Sequence, residues 1–370
     1  MKGKDIIKYL EEWVPKGIAW EKDNPGLQIG SEEYEVKNVF LCLELTGEAL
    51  NEAIIKKCNL IITHHPLIFH PIKTLNINKD KNHQIIAKVI KNDILVYSAH
   101  TNLDFTKDGV SFQLAKVLGL NNVSFIKNLD GNQFKLVVFV PENALENLSS
   151  ALYNAGAGII GEYKKCSFRM EGRGTFEGSE NTNPSVGSPL NYEEVNEVRL
   201  EMIIDSWKLK NVISALMKNH PYEEPAYDIY PLFNGNVNYG MGVIGELKEE
   251  MPINLFLRYI KQRLCSNFRY GSGKGNNIKK VAVCGGSGSE LLTAAIANGA
   301  DAFITADIKY HTFQDAEGKI LLVDAGHYET EIHSLNAIKE RLDKFIKENK
   351  SKIKVERFNG TTNPVHFYKN

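Results

Sequence analysis

Short runs of consecutive apolar residues, rich in β-branched side chains, alternate with segments whose apolar positions recur every three or four residues. Val39-Phe40-Leu41-Cys42-Leu43, Leu60-Ile61-Ile62 and Ile94-Leu95-Val96-Tyr97 read as buried strands, with helices around 47–58 and 82–92 between them. Ile6, Ile7, Leu10, Trp13 and Val14 fall at helical spacing and predict a first amphipathic helix. Strand, helix and strand in this rhythm imply βαβ units and a largely parallel sheet. The rhythm returns after about residue 278, with a strand at Lys280–Cys284, a helix from about 288 to 298, and strands at Ala302–Ile304 and Ile320–Val323.

The two ends also resemble each other. AIIKKCNLIITHH (53–65) aligns with AIANGADAFITAD (295–307), and ILVYSAHTNLD (94–104) aligns with LLVDAGHYETE (321–331). The alignment sets His100 over His327 and Asp104 over Glu331. The expectation is an internally duplicated α/β domain with a parallel-rich sheet, its halves at 1–130 and 239–370. Between them, FKLVVFVP is a strand, 142–155 a helix stopped by Gly156, 159–176 extended, and GSENTNPSVGSP a mobile hairpin. A strand at 197–204, a helix at 208–219 and a strand at 226–230 follow. That β-α-β-β-α-β order predicts a ferredoxin-like α+β insert over 131–238.

Composition narrows the function classes. The chain has 370 residues, 43% hydrophobic and 24% charged, as in ordinary globular proteins. Its 44 Lys+Arg and 45 Asp+Glu leave a net charge of -1, which argues against nucleic-acid or anionic-membrane binding through bulk charge. No apolar stretch is long enough to span a bilayer, and the N-terminus lacks the apolar core of a signal peptide. Five scattered cysteines with no CxxC pair fit reduced thiols in a cytoplasm and exclude a thiolate zinc knuckle.

The chemistry-bearing residues follow apolar strands. Thr63-His64-His65-Pro66 ends one strand, where parallel sheets place ligands. His100-Thr101-Asn102-Leu103-Asp104 follows a second, and His327-Tyr328-Glu329-Thr330-Glu331 a third, with His327 and Glu331 one helical turn apart. Taken singly, each could be an exposed strand end, a helix-capping carboxylate or an ion pair. Their recurrence at matching places of a repeat favours a joint metal site. Imidazole and carboxylate without thiolate suit Zn, Fe, Mn, Co or Ni. Five or six such ligands exceed what one tetrahedral ion takes and fit two divalent ions about 3.5–4 Å apart, whose bound water is acidic enough to act as a nucleophile.

Asp307-Ile308-Lys309-Tyr310-His311 lies opposite the His-His pair in the repeat and could bind substrate, transfer protons or steady the ligands; a solvated loop is the plain alternative. Gly285-Gly286-Ser287-Gly288-Ser289 stands between strand and helix, where backbone N–H groups can hold a phosphate, although many tight turns look alike. HPYEEP (220–225) reads as structural or as an assembly surface, and His70, His83, His333 and His366 belong to no constellation.

These motifs, with Asp23-Asn24-Pro25-Gly26-Leu27-Gln28-Ile29-Gly30 and HPYEEPAYDIYPL (220–232), resemble the GTP cyclohydrolase 1 type 2 homologue family, also described as dinuclear-metal-centre hexameric proteins, in its longer form. The match runs along the whole chain. Glu44 departs from it, standing where the family's Leu-Asp-x-Thr turn has Asp. The resemblance implies two metal ions held by His64, His65, Asp104, His327 and Glu331, with Glu331 bridging and His100 a further ligand or a group behind the ligands. It also implies a toroidal homohexamer whose insert is similar to PII/CutA-like domains. The reaction expected is metal-dependent hydrolysis of a nucleotide, with ring opening of GTP the named candidate. His100, Tyr310 and His311 are then the candidates for proton transfer, and Lys309, Gly286 and Ser287 for binding phosphate. The rival readings are a metal-binding hexameric scaffold without turnover, and a two-metal phosphoesterase or peptidase.

Overall fold

The computed structural model describes residues 1–368, and its strands follow in chain order from β1 (Gly26–Ile29), β2 (Val39–Cys42), β3 (Leu60–Thr63) and β4 (Leu95–Ser98) to β5 (Asn121–Asn128). Every residue of β2, β3 and β4 is buried, as expected of strands covered on both faces. Their side chains divide by parity. Leu41, Ile62 and Tyr97 pack with Ile6, Ile7 and Leu10 of the helix Gly3–Trp13. Phe40, Ile61 and Val96 pack with Ala49, Leu50 and Ala53 of Gly47–Ile55 and with Val89 of Lys81–Lys91.

Residues 128–238 form a compact unit of their own. The strands β6 (Gln133–Pro141), β7 (Phe168–Glu177), β8 (Tyr192–Asp205) and β9 (Tyr227–Leu232), with helices Leu145–Asn154 and Leu209–Asn219, run β-α-β-β-α-β. The sheet is antiparallel in the order β7-β8-β6-β9. Leu136, Val138, Val140, Val198, Leu200 and Met202 face Leu148, Leu152, Val212 and Leu216 of the helices. The extended segment expected from 159 becomes strand only at Phe168, after one isolated bridge between Ile160 and Tyr163. His220 is structural: its Nε2 is 2.9 Å from the Phe139 carbonyl and its Nδ1 accepts from the Tyr222 N–H.

From Tyr239 the chain rejoins the first unit. It forms β10 (Gly240–Pro252), β11 (Arg269–Tyr270), β12 (Asn277–Ser287), β13 (Ala302–Ala306), β14 (Leu321–Asp324) and β15 (Val355–Arg357). Two parallel-rich sheets result, ordered β1-β4-β3-β2-β15 and β11-β14-β13-β12-β10-β5. Each contains three adjacent parallel strands, β2-β3-β4 or β12-β13-β14, and each triplet has an antiparallel strand (β1 or β11) beside its third member.

The halves exchange elements. The late helix Ser334–Glu348 packs Leu335, Ile338 and Leu342 under the first sheet, which β15 extends in parallel beside β2. The early helix Val110–Val117 packs Leu114 and Ala115 under the second sheet, whose outer strand is β5. The other face of that sheet is covered by Leu292 and Ala295 of Leu292–Ala297 and Ala316 of Tyr310–Ala316.

Candidate metal centre

Both parallel triplets deliver side chains from their carboxyl ends to one place. β3 ends into His64 and His65, and β4 into His100 and the one-turn helix Thr101–Asp104. β13 ends into Asp307, and β14 into the helix His327–Glu331. A hydrogen bond of 2.7 Å between Thr63 Oγ1 and Ser98 Oγ ties the ends of β3 and β4 together.

The four imidazoles are oriented alike. His64 Nδ1 is 2.7 Å from the Ala99 carbonyl, His65 Nδ1 2.9 Å from Glu44 Oε1, His100 Nδ1 2.7 Å from Asp23 Oδ1, and His327 Nδ1 2.6 Å from Asp307 Oδ2. An oxygen acceptor at Nδ1 keeps a proton there and leaves Nε2 as the lone pair, which is how metal-binding histidines are held. The Nε2 atoms of His65 and His327 lie 3.3 Å apart. Glu331 Oε1 is 3.0 Å from His327 Nε2 and 3.6 Å from His64 Nε2, while Oε2 is 3.3 Å from His65 Nε2. Asp104 Oδ1 is 3.6 Å from His64 Nε2. The ligand atoms of His64, His65 and His100 lie within 4.8 Å of one another, as do those of His65, His327 and Glu331, so His65 joins two overlapping groups.

These residues fit a cation. The buried atoms His64 Nε2, Asp104 Oδ1 and Glu331 Oε2 make no hydrogen bond. Each buried unpaired polar atom costs about 1–3 kcal/mol, more when charged, and a divalent ion at the centre would satisfy all three. Protons partly take its role in the bare protein. Burial opposes a charge on His64, but the Glu331 and Asp104 carboxylates outweigh it and hold its pKa up to about 9. Burial likewise opposes a charge on His327, and Glu331 and Asp307 raise it to about 10. Burial pushes Asp104 up to about 6. Burial also opposes ionisation of Glu331, but His64 and His327 hold its carboxyl well below the usual range.

Backbone shape makes room for this cluster. A Cβ on Gly286 would sit 2.3 Å from Glu331 Oε1, and its φ of +63° favours glycine. The Gly286 N–H donates to Thr330 Oγ1 and the Gly285 N–H to Ser111 Oγ, so neither amide is free to meet a phosphate. Asp307 takes a left-handed φ of +56° as it turns to His327. Ser287, Lys309, Tyr310 and His311 are exposed. Tyr310 and His311 both engage Gln314 of their own helix, at 3.3 and 3.0 Å.

Two carboxylates that orient site histidines were not assigned that role from the sequence. Asp23 bonds His100 and also accepts from the Thr101 N–H and hydroxyl. Glu44 bonds His65 through one oxygen and the Thr362 hydroxyl through the other. Asn363, next along the chain, donates to Glu329 at 3.0 Å. Asp23 and Glu44 both lie in motifs, but nothing in their spacing assigns each a histidine.

The profile of the family described as Duf34/NIF3 (NGG1p interacting factor 3) matches residues 1–364. A GTP cyclohydrolase 1 type 2 homolog of Halalkalibacterium halodurans is 38% identical over 369 residues, covering 99% of this chain and 98% of that protein. The protein of the same name from Bacillus subtilis is 38% identical over 368 residues, with the same coverage. The crystal structure of a Bacillus cereus protein related to NIF3 superposes with a TM-score of 0.85 at 38% identity, covering 100% of this chain and 99% of that one. The chain therefore belongs to the Duf34/NIF3 family.

Proposed function

We propose that this protein is a dinuclear-metal-dependent hydrolase acting on a nucleotide, with opening of the guanine ring of GTP the candidate reaction. The observation that carries the metal reading is the set of four histidines, each committed through Nδ1 to an oxygen and sharing a centre with two carboxylates. His64, His65, Asp104, His327 and Glu331 would hold the ions; Glu331 Oε1 lies near His64 and His327 and Oε2 near His65, so both of its oxygens are available to the site. Divalent ions bound there supply Lewis acidity and lower the pKa of water to near neutrality. His100, held by Asp23, either completes the ligand set or moves a proton at Nε2. Lys309 and Ser287 are exposed polar groups for a substrate's phosphates, and Tyr310 and His311, exposed and bonded to Gln314, could exchange protons once released from it. The name of the relatives, GTP cyclohydrolase 1 type 2 homolog, is what points to GTP.

The proposal includes a PII/CutA-like insert at residues 131–238, supported by the β7-β8-β6-β9 strand order, and a cytoplasmic location, supported by five unpaired cysteines; the homohexamer rests on the family resemblance alone. No helix among the described residues is long and apolar enough to cross a membrane. A metal-binding scaffold without turnover is the rival reading, favoured by the engagement of Tyr310 and His311 with Gln314. Incubating protein reconstituted with Zn, Mn or Fe(II) with GTP, and following products by mass spectrometry, decides between them. A ring-opened or deformylated guanine product, lost in Glu331→Ala, supports the hydrolase. Intact GTP alongside two bound ions per chain overturns the GTP reaction and favours the scaffold.

A further inference from the structure

Within residues 128–238, the sheet carries its helices on one face only. Phe139, Glu197 and Arg199 alternate with the helix-facing Val138, Val140, Val198 and Leu200, and so stand on the other face. A cavity of about 730 Å³ lies there, in the range of small-molecule sites, about 300–1,000 Å³.

Three aromatic rings line it: Phe139, Phe176 and Tyr222, the last two 6.4 Å apart and tilted by 55°. The Glu197 carboxylate stands near the buried Tyr222 hydroxyl, which makes no hydrogen bond among the described residues, and lies over Gly174, where a Cβ would come within 2.0 Å of a carboxylate oxygen. Glu197 has no ion pair among the described residues, whereas both guanidiniums in the lining are matched. Arg173 pairs with Glu194, and Arg199 Nε lies 2.9 Å from Glu201 Oε1. Neither of those partners lines the cavity. Arg199 also sits over the Phe139 ring at 5.8 Å, so this wall already accepts a cation on an aromatic face. The charge left over is negative, and it is set among rings.

We propose that this cavity binds a small organic cation, an amine or amidine bearing an apolar or aromatic group. Its charge meets Glu197 and its apolar part lies among the three rings. The site draws on no residue of the metal centre.

Calorimetric titration of the full chain with 2-phenylethylammonium and benzamidine tests this against two shape-matched probes, neutral 2-phenylethanol and anionic 3-phenylpropionate. Saturable binding of at least one cation is expected, with the neutral and anionic probes at least tenfold weaker. Glu197→Gln should lower cation affinity at least tenfold, and Phe176→Leu several-fold, with far-UV circular dichroism and metal content unchanged. Equal binding of the alcohol or the acid would overturn the proposal. So would undiminished cation binding in Glu197→Gln, or no saturable binding of either cation. Should Glu197→Gln fail to fold, the ranking of the four probes on the unaltered chain decides alone.

Discussion

His65 and His327, 262 residues apart in sequence, bring their Nε2 atoms to 3.3 Å of each other. Both rings are held at Nδ1 by a carboxylate, Glu44 for His65 and Asp307 for His327. Two lone pairs at that separation repel unless a proton or a cation lies with them. Metal binding should therefore displace protons, and the heat of binding at pH 7.5 should change with the buffer's ionisation enthalpy. A heat independent of buffer would mean that no proton leaves.

Stability of the metal-free protein should fall as pH rises. His64 and His327 have folded pKa values of about 9 and about 10, above the unfolded value of about 6.5. Their contribution is fully present below about pH 6.5 and is lost as pH climbs through the folded values. Asp104, at about 6, loses its last protons between pH 6.5 and about 8, which lowers stability in the same direction because its folded pKa is raised above the unfolded one. Thermal unfolding in chelator between pH 6.5 and 10 should show a falling midpoint, and saturating Zn or Mn should flatten it. A flat profile without metal would contradict these assignments.

Gly286→Ala should strike the centre without removing a ligand. The added methyl meets Glu331 at 2.3 Å in a conformation alanine avoids. A loss of about 1–3 kcal/mol in stability is expected, with metal affinity reduced as Glu331 is displaced. Chemical denaturation and metal titration measure the two effects separately.

Neutralising the orienting carboxylates should weaken metal binding more than folding. Glu44→Gln and Asp23→Asn should each cost about 10–100-fold in metal affinity. Thr362→Val acts one step further out, through Glu44, and should cost less. Direct titration with Co(II), whose absorbance reports its ligand geometry, checks the order.

The exchange of elements between halves predicts shared cooperativity. Leu342, from the C-terminal half, is fully buried against the first sheet. Leu342→Ala should cost about 2–5 kcal/mol and lower the unfolding midpoint of both sheets together. Separate transitions, with β12–β14 unaffected, would show that the halves are independent.

The apolar runs at 39–43, 60–62 and 94–97, and their counterparts after 278, are strands in the structure because burial on both faces leaves an unbroken apolar signature. The outer strands left no such trace. β11 has only two residues, and β5 reads Asn-Asn-Val-Ser-Phe-Ile-Lys-Asn, too polar to stand out. The exchange of Val110–Val117 and Ser334–Glu348 between sheets depends on long-range packing, to which local periodicity is blind. The His-His pair and the two His-x-x-x-carboxylate motifs were legible because each directly follows an apolar strand. Asp23 and Glu44 were not, because they reach His100 and His65 across 77 and 21 residues. The glycine-rich run misled differently: Gly285 and Gly286 continue β12, and Gly286 clears space for Glu331.

The most direct test is the metal content of the purified, reconstituted chain, measured by elemental analysis beside Glu331→Gln and His64→Ala whose folds are verified by circular dichroism. Two divalent ions per chain are expected, falling to one or none in both variants. Metal-free protein after reconstitution, or a content unchanged by either substitution, would contradict the two-metal centre.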